Sequence, residues 1–263
     1  MANEYEIKKQ ICDIGKRIYD RNMVAANDGN ISVKLNDNEF LCTPTGVSKG
    51  FMTPEYICKV DKEGNVLQAN GNFRPSSEIK MHMRVYEKRP DVKAVVHAHP
   101  TVATSFAIAG IPLTQPIMPE AVISLGCVPI AEYGTPSTME IPDNLEKYLP
   151  YFDAVLLANH GALSYSDSLL AAYHKMESVE FYARLMYQTK MIGGAQIYAA
   201  ALPYTEWLDL TEILDSPGNA DAFFPSDLTA FLPVKRTSIY GSKLPYRFAT
   251  WRRKDCISYL KQN

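Results

Sequence analysis

Apolar positions repeat at helical spacing near the start of the chain. Ile7, Ile11, Ile14 and Ile18 are separated by lysines and aspartates, which predicts an amphipathic helix in the first 25 residues. Asn27-Asp28-Gly29-Asn30 then reads as a turn. Ile31 to Leu35 and Phe40 to Thr43 flank Asn36-Asp37-Asn38 as a hairpin, and Tyr56 to Val60 and Val66 to Ala69 flank Lys62-Glu63-Gly64-Asn65 as a second. Pro75-Ser76-Ser77-Glu78 has the residues of a helix first turn and predicts a helix to about Glu87. Val92 to His99 is an apolar strand that Pro100 ends, with a helix over Val102 to Ala109. A short strand over Val128 to Tyr133, a helix over Thr138 to Tyr148 and a buried strand over Ala154 to Ala158 follow. The longest helix runs from Ser168 to Met191, with Leu169, Ala172, Met176, Val179, Ala183, Met186 and Tyr187 on its apolar face. Strands and helices alternate after residue 75, so the pattern predicts an α/β architecture with hairpins at the front.

The late part of the chain changes character. From Met191 to Pro233 there are six acids and no Lys or Arg; from Val234 onward there are eight cations and one acid, Asp255. This predicts a division into 1–200, a catalytic domain, and 201–263, an extended C-terminal appendage packing on the domain or on a neighbouring subunit. Its basic end would neutralise the acidic stretch of its own or another subunit.

Composition narrows the function. The 263 residues carry 27 Lys+Arg and 29 Asp+Glu, a net charge of −2, which argues against a nucleic-acid binder. No apolar run reaches the roughly 20 residues that span a bilayer, and the start lacks an export signature, so the expected compartment is cytoplasmic, without a membrane partner. The five cysteines are scattered with no CxxC spacing, which reads as reduced thiols and excludes a Cys-rich structural zinc site.

Chemistry concentrates in the histidines. His97 and His99, at i and i+2 on a strand, point to one face, which suits bidentate metal binding. His160 ends another apolar strand, where Gly161 allows a special backbone position. Three imidazoles with an open position make a catalytic Zn²⁺ set. Glu78, at a helix start, adds a carboxylate nearby. Small polar turns, Gly29 to Ser32, Thr43 to Gly46 and Ser76-Ser77, offer hydroxyls, an amide and backbone N–H groups that hold a phosphate monoester without a P-loop. His82, one turn after Glu78, reads as a residue on the surface or one supporting the site from behind, His174 as structural, and Lys49 as a cation available to an anionic substrate. The GxSxG pattern at Gly46 to Gly50 is read as accidental, since Pro54 limits the helix that a nucleophile elbow requires.

The motifs GNIS (Gly29 to Ser32), TPTGV (Thr43 to Val47), PSSE (Pro75 to Glu78), VVHAHP (Val95 to Pro100) and NHG (Asn159 to Gly161) resemble, in order, those of the class II aldolase/adducin family over about residues 5 to 195. The resemblance implies a three-layer α/β/α sandwich with a central mixed or antiparallel sheet, assembled as a homotetramer with sites between subunits. It implies a divalent metal, Zn²⁺ or else Mn²⁺ or Co²⁺, on His97, His99 and His160. It implies substrate phosphate on Asn30, Thr45, Gly46, Ser76 and Ser77, and Glu78 as the proton carrier. The implied reaction is aldol cleavage of a ketose 1-phosphate, as in fuculose-phosphate aldolases, giving dihydroxyacetone phosphate and an aldehyde. Related epimerases carry Asp where Glu78 stands, which favours carbon–carbon cleavage. The stretch Gln115 to Glu120 lacks the Tyr that protonates the leaving aldehyde in the fuculose enzymes. Glu120 falls near the acid/base Glu of a related dehydratase, so dehydration is a second reading, and decarboxylation of a phosphorylated sugar acid belongs with it. A third reading is a non-catalytic, adducin-like interaction domain. In the family, tails also close the active site, which here would bring in Tyr240, Tyr246, Arg247 or Arg252.

Overall fold

The computed structural model describes residues 3–202, 205–213, 228–239 and 246–254. The chain divides into two compact units, residues 1–186 and 187–263. The division falls inside the last helix, ahead of the 200/201 boundary expected from composition.

The first unit is built on an eight-stranded sheet in the order β4-β3-β2-β1-β5-β8-β7-β6. The strands are β1 (Asn30–Lys34), β2 (Phe40–Cys42), β3 (Cys58–Val60), β4 (Val66–Gln68), β5 (Ala94–Ala98), β6 (Ile130–Ala131), β7 (Ala154–Leu157) and β8 (Gly161–Ser166). All neighbouring pairs are antiparallel except β6 and β7, which are parallel. The helices are α1 (Glu4–Asp20), α2 (Ile79–Lys88), α3 (Thr101–Ile108), α4 (Pro119–Ser124), α5 (Glu140–Leu145) and α6 (Leu169–Ala201).

Strand alternation sorts the side chains into two apolar layers. Ala94, Val96 and Ala98 of β5 face one layer with Ile11, Ile14 and Ile18 of α1, Phe106 of α3 and Met176 of α6. Val95 of β5 faces the other, with Met81 and Val85 of α2 and Ile141 and Leu145 of α5. The result is a three-layer α/β/α sandwich. The α1 stripe forms as its spacing predicts, and the helix begins where the Asn3 side chain accepts a hydrogen bond from Tyr5 N. Gly15 lets α1 sit directly on the turn at Lys49–Phe51, since a Cβ there would lie 2.8 Å from Lys49 O.

Several expectations are corrected. The strand β8 was unforeseen, because Gly161-Ala162-Leu163-Ser164 lacks the β-branched run that marks strands. The short helix α4 was missed as well. In the second unit, the stretch expected to be an extended appendage holds a three-stranded antiparallel sheet: β9 (Trp207–Ile213), β10 (Phe231–Ile239) and β11 (Tyr246–Arg253), in the order β10-β11-β9. The acidic and basic segments pair within it. Arg252 bridges Glu206 at 3.0 Å, and Arg247 stands opposite Glu212 in register. Tyr240 and Cys256 lie outside the described residues.

Candidate metal centre and anion cleft

The three histidines come from two connections on the α2 side of the sheet. His97 is on β5, His99 lies just past its end, and His160 sits in the three-residue turn between β7 and β8. Their ring centroids are 4.8 to 5.1 Å apart. One nitrogen from each can be chosen so that all three lie within 4.8 Å of one another. The left-handed residue that turns the chain here is Asn159, with φ 55°, and not Gly161. Gly161 is required for space: a Cβ there would lie 2.6 Å from Ala98 O and 2.6 Å from His99 Cδ2.

Hydrogen bonds fix which ring atoms converge. His97 Nδ1 lies 2.9 Å from Ala162 O, so that nitrogen carries the proton and donates it. His99 Nδ1 points at Asp28 Oδ2, 3.3 Å away. With its Nδ1 proton engaged, His97 presents the lone pair of Nε2, which lies 3.1 Å from His99 Nε2. One nitrogen from each of three neutral rings gathered in one place is a donor set that fits a divalent metal. Burial, then the nearby His160 and His99, holds His97 well below the usual imidazole range, and burial also lowers His160, against the pull of Glu78. Neutral imidazoles are what a metal requires.

Glu78 ends the turn that starts α2. Ser137 N donates to its Oε1 at 2.8 Å. Its Oε2 is buried with no hydrogen-bond partner and lies 3.8 Å from His160 Nε2; His160 Nδ1 is likewise buried and unpartnered. A free carboxylate oxygen beside three imidazoles is placed to exchange a proton with whatever occupies the centre.

A cleft of about 220 Å³ opens beside this group. Asn30, Thr45, Gly46, Ser76 and Ser77 all line it, together with Glu78 and the three histidines. The polar turns meet because their backbones bond to one another: Thr45 N donates to Arg74 O at 2.9 Å, and Ser76 N to Thr43 O at 3.2 Å. Ser76 Oγ accepts from Glu78 N at 3.3 Å and lines the cleft; the N-cap of α2 is Glu78 and not the serine. Gly46 takes φ 72°, a turn an L side chain strains to adopt.

Glu120 is not brought into this cleft. Pro119 opens α4, Ala121 is its buried residue, and Glu120 points to solvent. Sequence reasoning missed Asp28 and Ser137. Asp28 was visible only as a turn residue, and nothing in Gly134 to Thr138 signals that Ser137, with φ 68°, reaches Glu78. Lys49 lines the cleft but is buried and donates to Asn27 O and Val47 O at 2.9 and 2.7 Å; burial lowers it to about 8. It ties the Asp28 turn to the Val47 turn.

The model of the class II aldolase and adducin N-terminal domain matches residues 9–187. The chain belongs to that family. An L-fuculose phosphate aldolase of Methanococcus maripaludis is 33% identical over 184 residues, 70% of this chain and 96% of that protein. A 3-oxo-tetronate 4-phosphate decarboxylase of Haemophilus influenzae is also 33% identical, covering 68% of this chain and 86% of that protein. Among solved structures, an L-fuculose 1-phosphate aldolase matches with a TM-score of 0.67 at 33% identity, covering 73% of this chain and 90% of that one. A dihydrofolate reductase model also matches residues 142–253, less than half the chain and overlapping the first match, and it assigns no family.

Proposed function

We propose that the protein is a divalent-metal-dependent lyase of phosphorylated sugars, and that it cleaves a ketose 1-phosphate to dihydroxyacetone phosphate and an aldehyde. The observation that carries this is the convergence of three imidazoles, His97, His99 and His160, beside the unpartnered Oε2 of Glu78. A divalent ion on His97, His99 and His160, Zn²⁺ first among the candidates, with Mn²⁺ or Co²⁺ behind it, would supply a Lewis acid for the substrate's oxygens. Asn30, Thr45, Gly46, Ser76 and Ser77 bind the phosphate through amide, hydroxyl and backbone N–H donors, aided by the N-terminus of α2. Glu78 holds or delivers the proton at Oε2, while Ser137 N fixes Oε1. The substrate's fixed phosphate aligns its reacting carbons with that oxygen.

Decarboxylation of a phosphorylated keto acid is a second reading, because a decarboxylase and an aldolase are equally similar to this chain. Both reactions leave negative charge beside a carbonyl, which the same site serves. A dehydration that uses Glu120 would need that residue to reach a site from α4, and an adducin-like scaffold has no need of a polarised imidazole set. We also propose a homotetramer and a cytoplasmic setting; no helix among the described residues is long and apolar enough to cross a membrane. Metal-loaded protein presented with phosphorylated ketoses and keto sugar acids should release triose phosphate from a ketose. Release of CO₂ alone would favour the decarboxylase, and turnover of neither class would overturn the proposal.

A further inference from the structure

A row of buried polar side chains behind the anion cleft is unused by the chemistry above. His82, on α2, is 1% exposed. Its Nε2 is 2.5 Å from Asn30 Oδ1, and its Nδ1 is 2.7 Å from Ser32 Oγ. Ser32 Oγ is in turn 2.8 Å from the Tyr86 hydroxyl. The four groups form one chain, from the α2–sheet interface to the wall of the cleft.

Counting protons gives this chain a direction. The Tyr86 hydroxyl proton needs an acceptor, and Ser32 Oγ is the hydrogen-bond partner recorded for that hydroxyl among the described residues. Ser32 therefore accepts from Tyr86 and donates to His82 Nδ1. Burial keeps His82 neutral, lowering it to about 3, so its single proton sits on Nε2 and is donated to Asn30. Only the carbonyl oxygen of an amide can accept it. The reverse direction would strand the Tyr86 proton in the apolar layer.

We propose that the Tyr86–Ser32–His82 chain is an orienting device that holds the Asn30 amide with Oδ1 inward and its NH₂ donors toward the cleft, so that the cleft selects an oxyanion. This deepens the function proposed above and rests on its reading of the cleft as a phosphate site. Asn30 is the binding group; His82, Ser32 and Tyr86 are positioning residues. Without them the amide is free to flip and present an oxygen to an anion.

The test has two arms on the full-length protein. In the first, ¹⁵N chemical shifts of labelled histidine read the His82 tautomer directly, with His82→Gln assigning the signal. The Nε2–H tautomer is expected, and an Nδ1–H tautomer would overturn the proposal without any variant having to fold. In the second, inorganic phosphate is titrated calorimetrically into wild type, Tyr86→Phe and Asn30→Asp, with metal content measured on each. Tyr86→Phe should leave metal content intact, mix the His82 tautomers and weaken phosphate roughly tenfold, the equivalent of one hydrogen bond. Asn30→Asp, which places a carboxylate at the cleft, should abolish binding. Unchanged phosphate affinity in Tyr86→Phe would sink the orienting role alone. If wild type fails to bind phosphate, the anion-site reading falls, and the selection argued here falls with it.

Discussion

Single atoms decide most of the site. Glu78 Oε2 lacks a partner while Oε1 is held by Ser137, so Glu78→Gln removes the proposed proton carrier at nearly constant shape. Turnover should drop by about 10²–10⁴-fold with metal content unchanged, measured by steady-state release of triose phosphate. Glu120→Gln should leave it within a few-fold in the same assay, and a collapse there would revive the dehydratase reading. Gly161 is a packing requirement: Gly161→Ala presses a methyl into Ala98 O and His99, and should cost about 1–3 kcal/mol in urea unfolding. At this scale the sequence was informative about residue types and silent about partners. The i, i+2 pair of His97 on β5 and His99 just past its end could be read directly, because an extended chain puts both on one face. Asp28 and Ser137 act through contacts made by distant turns, which no local pattern encodes.

Elements are where local pattern and tertiary context part. The isoleucine stripe of α1 and the start of α2 just after Pro75-Ser76-Ser77 were legible, because helical spacing and first-turn composition are local properties. The strand β8 was not: it is buried between β5 and β7 and forms through pairing, from residues with little strand preference of their own. The three strands of the second unit do carry strand formers, Trp207, Ile213, Phe231, Val234, Tyr246 and Trp251 among them, and were hidden instead by the charge blocks and the prolines that punctuate this stretch. One buried carboxylate links two helices. Glu180 of α6 accepts from Val102 N and Ala103 N at the start of α3, and Arg184 donates to it at 2.8 Å. Neutralising it in Glu180→Gln should destabilise the protein by about 1–2 kcal/mol. Chemical denaturation would show this, and an unchanged midpoint would mean that α3 does not depend on the cap.

For the whole molecule, the family and the layered architecture were readable because five ordered motifs span the first unit. The reaction was not, since an aldolase and a decarboxylase are equally similar to this chain. Acid stability follows from the buried imidazoles. His82 binds its proton near 6.5 when unfolded and near 3 when folded, so between those values the unfolded chain holds more protons. Stability is then full above about pH 6.5 and falls as pH drops toward 3; the lowered His97 and His160 act in the same direction. Urea midpoints of chelator-treated protein should fall steadily from pH 7 to pH 4, and less steeply in His82→Gln. A flat profile down to about pH 4.5, where carboxylates begin to titrate, would contradict this.

The account stands or falls on whether the three imidazoles hold an ion. Elemental analysis of the protein, purified with added Zn²⁺ and then dialysed, should find about one equivalent per chain in wild type and almost none in His97→Ala or His160→Ala, with both variants still folded. Wild type without metal, or a His97→Ala protein that keeps its full equivalent, would contradict it.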